Sequence, residues 1–292
     1  MPLYTKIATG TNAVQTKKWV TKLGSGSVEI KKAIVKRVAG TSADIYYSAG
    51  GYPSVYDSNL DFNLVSGNNN PEDSCILADR YLYVLDVIDR KFYVYDLDNN
   101  NSRVTSKEFS LVSTSNVCDY DAINNLIWAG DYSSSPIRAY NPDTKNEVTA
   151  RRVSIYANDV IIVANSTLYV SNLEDPGILA TPTKLNAYTI PTTNTAPTRN
   201  TNKDITIPTS GNDAVDITHI DGGTYYQGII YLVNRDSDPE VFAFDEATGD
   251  RRSDLDFALD SNNTGAQSIS IRSDGNAYVA DSSDKMYGYV PA

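Results

Sequence analysis

Apolar and polar positions alternate along most of the chain in short runs, and no segment holds a helical period for more than a turn or two. Turn formers such as Asp98-Asn99-Asn100-Asn101, Thr248-Gly249-Asp250 and Ser273-Asp274-Gly275-Asn276 separate the runs. This pattern predicts an all-β chain. It also recurs. An apolar run centred on Tyr or Trp is followed, after a polar turn, by a run that ends in an aromatic and often in Asp or Asn. The copies are Ile45-Tyr46-Tyr47 with Ser54-Val55-Tyr56-Asp57, Leu82-Tyr83-Val84 with 92–96, and Ile127-Trp128-Ala129 with 137–141. Three more are Leu168-Tyr169-Val170 with 185–188, Ile230-Tyr231-Leu232 with 241–245, and Ala277-Tyr278-Val279 with 286–289.

The aromatic anchors Tyr56, Tyr95, Tyr140, Tyr188, Phe244 and Tyr289 are spaced by a mean close to 47 residues. That spacing suits a four-stranded propeller blade of ~40–50 residues. Two further elements fall in phase. An outer strand begins at Asp61-Phe62, Glu108-Phe109, Asp204-Ile205 and Asp256-Phe257, and an inner apolar strand precedes each Tyr/Trp run, as in Cys75-Ile76-Leu77 and Val160 to Val163. One such unit would leave both sheet faces wet, whereas radial stacking covers them and leaves only short edges. The last unit stops at Tyr289-Val290-Pro291-Ala292, after its third strand, and an open edge there would be a template for aggregation. Trp19-Val20-Thr21-Lys22 is the predicted filler, with Ala33-Ile34-Val35-Lys36 as the inner strand of the first blade. The expectation is a six-bladed β-propeller over 41–292, closed by basic strands within 1–40.

Charge changes this picture at one end. Residues 1–40 hold eight cations and one anion, and the rest hold 17 cations and 35 anions, so a leader of +7 precedes a body of −18. Such asymmetry suggests that the two parts meet different surroundings, although Lys on edge strands also deters sheet-to-sheet pairing. The candidate docking residues are Lys6, Lys17, Lys18, Trp19, Lys22, Lys31 and Lys32. An acidic body argues against a partner made of duplex nucleic acid. The start, Met1-Pro2-Leu3-Tyr4-Thr5-Lys6, lacks the apolar core of a signal peptide, and no run approaches membrane-spanning length. Synthesis in a cytoplasm and no membrane insertion are the expectations. Cys75 and Cys118 are too few for a disulfide framework and read as small apolar residues on adjacent inner strands.

The unit running from Asp256-Phe257 through Ser273-Asp274-Gly275, Tyr278-Val279-Ala280-Asp281 and Asp284-Lys285-Met286-Tyr287-Gly288-Tyr289 resembles a propeller repeat of bacterial and marine bacteriophage proteins. Val241 to Asp245 with Thr248-Gly249-Asp250-Arg251-Arg252 extends the likeness, which spans about 45–292 and is weakest from 145 to 225. Leu85 and Gly130 depart from the small residue usual before Asp, and 181–210 is an insertion. The short Lys-Lys-containing strands of the leader resemble the start of phage virion structural proteins. The resemblance implies a non-enzymatic virion component of tail, fibre or head, with other virion proteins as partners and a host receptor or glycan as a candidate target. A lactonase- or glycosidase-type propeller enzyme and a bacterial scaffold that binds protein or glycan are the alternatives.

Candidate chemistry is sparse. Asp96 to Ser102 imitates the start of a calcium loop, but the sixth position is not Gly and the twelfth is Lys107 instead of a bidentate Glu. Asp236-Ser237-Asp238-Pro239-Glu240 reads as a solvated loop tip. His219, the only histidine, alternates with apolar neighbours, and no nucleophile motif accompanies it. Zinc ligands and a phosphate loop are not evident, so no cofactor, no metal and no catalytic residue is expected. The blade pattern accounts for many of the 21 tyrosines; the rest, with Trp19 and Trp128, are candidates for aromatic surfaces that bind protein or sugar, and Tyr46-Tyr47 and Tyr225-Tyr226 are the pairs of most interest.

Overall fold

The computed structural model describes residues 51–68, 70–131, 136–155, 160–171, 184–208, 220–235 and 240–291 in full, and the backbone of four strands before them. The chain divides into two compact units, Met1–Gly51 with Ser273–Gly275, and Tyr52–Arg272 with Asn276–Ala292.

In the first unit β1 (Leu3–Thr9), β2 (Asn12–Leu23), β3 (Gly26–Lys36) and β4 (Ser42–Tyr46) pair in chain order as an antiparallel meander. In the second, β5 (Pro53–Tyr56) and β6 (Phe62–Asn63) precede five sheets. Blade I runs from the inner strand β7 (Pro71–Leu77) through β8 (Tyr81–Asp86) and β9 (Lys91–Asp96) to the outer β10 (Ser102–Arg103) and β11 (Phe109–Ser110). Blade II comprises β12 (Val117–Asp121), β13 (Leu126–Gly130), β14 (Arg138–Asn141) and β15 (Asn146–Glu147). Blade III comprises β16 (Ile161–Ala164), β17 (Thr167–Ser171), β18 (Lys184–Thr189), β19 (Thr198–Arg199) and β20 (Ile205–Thr206). Blade IV comprises β21 (Ile220–Tyr226), β22 (Ile229–Asn234), β23 (Glu240–Asp245) and β24 (Phe257–Ala258). Blade V comprises β25 (Ala266–Ile271), β26 (Ala277–Asp281) and β27 (Lys285–Pro291), and its outer strands are β5 and β6.

The all-β propeller is as expected, but the described residues form five blades where six were predicted. The copy assigned to 45–57 is not a blade. Ser42–Tyr46 belongs to the N-terminal meander, and Pro53–Tyr56 is the strand that completes blade V, with Tyr56 opposite Tyr289. Closure therefore comes from 53–63. Trp19–Lys22 pairs with Val28 and its neighbours inside the meander, and Ala33–Lys36 pairs with Ser42–Ile45. The propeller begins at Tyr52.

Five apolar seams show that the ring is complete. Blades I and II share a core of Cys75, Leu85, Phe92 and Phe109 with Cys118, Ile127 and Tyr140. Equivalent cores join II to III around Trp128 and Ile161, III to IV around Tyr169 and Phe244, and IV to V around Tyr231 and Tyr289. The fifth joins V back to I, through Tyr278, Ala280 and Met286 against Leu82, Val84 and Tyr95. Rings cross the seams at packing distance, as in Phe109–Tyr140 at 6.0 Å and Phe62–Tyr95 at 5.3 Å.

The acidic residue that opens each predicted outer strand now has a physical role. Asp61, Asp204 and Asp256 each accept the N–H of a small residue at the middle of the third strand, Gly288, Ala187 and Ala243 respectively, at 2.8–3.0 Å. Each also pairs with a cation, Lys285, Arg199 and Arg251 in that order. Glu108 in blade I holds Arg103 and Lys91, and Glu147 in blade II holds Arg138 and Arg152. The Asp or Asn that ends a strand caps the turn after it: Asp245 Oδ1 accepts from Ala247 and Thr248 N–H, and Asn141 Oδ1 from Asp143 and Thr144 N–H.

Candidate functional site

The five inner strands line the axis and are tied together there. Asp73 on β7 accepts the N–H of Cys118 on β12 at 2.6 Å, and Asp119 on β12 accepts the N–H of Val163 on β16 at 2.7 Å. Ser74 Oγ lies 2.9 Å from both Ser268 Oγ and Ser270 Oγ on β25. Between β21 and β25 the backbones approach so closely that a Cβ on Gly222 would lie 2.6 Å from the Gln267 carbonyl oxygen. Burial pushes the carboxyl of Asp73 well above the ordinary range and that of Asp119 up to about 7; for Asp119 the N–H bonds from Val163 and Tyr120 only partly oppose it. Cys75 and Cys118 are free and buried, on adjacent inner strands as the sequence suggested, and burial raises both thiols.

A cavity of about 300 Å³ opens at one end of the axis. Ile76, Tyr120, Val163, Tyr225 and Ile271 line it, one from each inner strand. They occupy one equivalent position. Each pairs with the residue just before the central Tyr, Trp or Tyr-equivalent of the second strand: Leu82, Ile127, Leu168, Ile230 and Ala277. Asp119, Ala122, Ile123, Asn165 and Thr224 complete the wall. The two aromatic rings are held by their hydroxyls, since Tyr120 OH donates to Asn125 Oδ1 at 2.9 Å and Asn165 Nδ2 donates to Tyr225 OH at 3.1 Å.

The residues singled out in the sequence are distributed as follows. Lys6 lies on β1, Lys17, Lys18, Trp19 and Lys22 on β2, and Lys31 and Lys32 on β3. The register sets Lys17 opposite Lys32 and Lys18 opposite Lys31, two like-charge pairs side by side. Tyr225 reaches the cavity, whereas Tyr226 is buried in the seam between blades IV and V, edge-on to Tyr52. Tyr46 ends β4, and Tyr47 lies outside the described residues, as do His219 and the 236–239 part of the acidic loop. Asp96 is engaged by Arg80 at 2.6 Å and by the Asp98 N–H. Sequence reading did not find the cavity, because its five equivalent residues are ordinary strand positions about a blade apart.

No protein-family model and no curated protein matches the chain. Solved structures do. A luciferin-regenerating enzyme shares 9% identity over 82% of this chain and 95% of its own, with a TM-score of 0.51. The WD40 β-propeller domain of Doa1 shares 10% over 83% of this chain and 98% of its own, at 0.46. Kuenenia stuttgartiensis hydrazine synthase shares 11% over 72% of this chain, at 0.43, and this chain spans 56% of its length. The likeness to the luciferin-regenerating enzyme is one of fold alone.

Proposed function

We propose that the chain is a non-enzymatic structural component of a bacteriophage particle, a propeller displayed on the virion and attached through its basic N-terminal sheet. The observation that carries this reading is the closure of the ring by β5 and β6. It leaves the lysine-rich meander without a part in completing the propeller, so a second task accounts for it better than closure does. Like charges directly opposite on neighbouring strands destabilise a sheet, and the registers Lys17–Lys32 and Lys18–Lys31, which fall on opposite faces of the meander, each favour an anionic partner on their own face. The likeness of the repeat and of the leader to phage proteins points the same way. The non-enzymatic part is supported by the employment of the repeat's carboxylates, since Asp61, Asp204 and Asp256 tie outer strands to third strands and Asp73 and Asp119 tie blades together.

The test is incorporation. A chain with Lys17, Lys18, Lys31 and Lys32 all changed to Gln, supplied to particles that lack the natural copy, should melt no lower than the parent yet fall at least tenfold in purified virions. Incorporation equal to the parent's would contradict the attachment claim.

A further inference from the structure

The cavity at the end of the axis has a chemistry of its own, independent of how the chain is carried. We propose that it binds a protonated primary amine on an aliphatic stem, of which a lysine side chain is the biological form. Its volume of about 300 Å³ is at the lower end for ligand sites, enough for one extended side chain and too small for an oligosaccharide. Ile76, Ile123, Val163 and Ile271 offer apolar wall to a methylene stem. Tyr120 and Tyr225, both fixed through their hydroxyls, offer rings to a cation.

Asp119 supplies the counter-charge. The residue is only 8% exposed, and its oxygens accept one main-chain N–H each, from Tyr120 and Val163. A carboxylate has about four lone-pair sites, so it can accept further donors from the cavity side. Asp121 adds negative potential from the same inner strand, while Arg151, which faces Asp121, is occupied with the Pro191 carbonyl and Asn124. Among the described lining residues there is no Lys or Arg. An amine buried here gives Asp119 the cation that the wall lacks and so favours the ionised form of its carboxyl.

The full-length chain should be titrated by ligand-observed NMR and calorimetry with Nα-acetyl-lysine amide, its uncharged analogue Nα-acetyl-norleucine amide, and methyl α-D-glucopyranoside. The lysine derivative should bind at least tenfold tighter than either. Ile123→Lys puts a cation at the 56%-exposed rim, and it should abolish that preference, as should Asp119→Asn; Ile88→Lys, at a 71%-exposed position outside the cavity wall, should leave it unchanged. Equal or weaker binding of the lysine derivative, tighter binding of the glucoside, no binding of any probe, or a preference that survives both cavity variants would overturn the proposal. Because every readout is on the isolated chain, failure here is separate from failure of virion attachment.

Discussion

One carboxylate in each of blades III, IV and V does two jobs, and Asp256 shows both. It accepts the buried Ala243 N–H at 2.8 Å and pairs with Arg251 at 2.6 Å. Asp256→Ala leaves that N–H unpaired and should cost about 1–3 kcal/mol in denaturant unfolding. In blade III burial pushes the Asp204 carboxyl up, but bonds from Arg199, Lys184 and the Ala187 N–H outweigh it and hold it down to about 2. Its contribution is therefore present above pH ~4 and is lost only as pH falls through about 2. Asp119 has the opposite sign. With its folded value raised to about 7, its contribution is complete below pH ~4 and disappears as pH rises through about 7. Parent stability minus that of Asp119→Asn should fall between pH 4 and 7, by at most about 1.4 kcal/mol per pH unit, when unfolding is followed across that range. A flat difference would mean that Asp119 is not a buried acid.

The closing segment is where pattern and pairing part company. Ser54-Val55-Tyr56-Asp57 matches the local third-strand pattern, so a sequence reader gives it a blade of its own together with Ile45-Tyr46-Tyr47. Its hydrogen bonds go instead to the far end of the chain, Tyr56 opposite Tyr289 and Val55 opposite Val290. Short-range periodicity carries no information on so distant a partner. The outer strands at Asp61, Glu108, Asp204 and Asp256 were legible because acid, aromatic or Ile, and small residue follow one another locally. Gly288 marks the same junction. Blades III and IV have Ala187 and Ala243 at this position, but a Cβ on Gly288 would lie 2.1 Å from the Leu60 Cβ and 3.2 Å from the Asp57 carbonyl oxygen. Gly288→Ala should therefore lower the melting temperature and speed hydrogen exchange in 53–63, whereas Ala243→Gly should cost only about 1 kcal/mol. Equal effects of the two changes would argue against a closing strand held at Leu60.

The ring explains why so much of the fold, and so little of the cavity, could be read in advance. Repeat length, aromatic anchors and turn residues are local, and each blade states them again. Ile76, Tyr120, Val163, Tyr225 and Ile271 are brought together only when five inner strands are arranged around one axis, and residue type alone does not set such positions apart from core ones. Blade number was misread for the related reason that closure depends on a long-range pair. The propeller completes itself with Pro53–Tyr56 and Phe62–Asn63, and its compact unit begins at Tyr52. The direct measurement is cooperative unfolding of a chain that begins at Tyr52, beside one that begins at Val65. The first should stay unaggregated and unfold in a single transition near that of the full chain, and the second should lose cooperativity and aggregate through the exposed edge of β27. Unfolding or aggregation of the chain that begins at Tyr52 would contradict this closure.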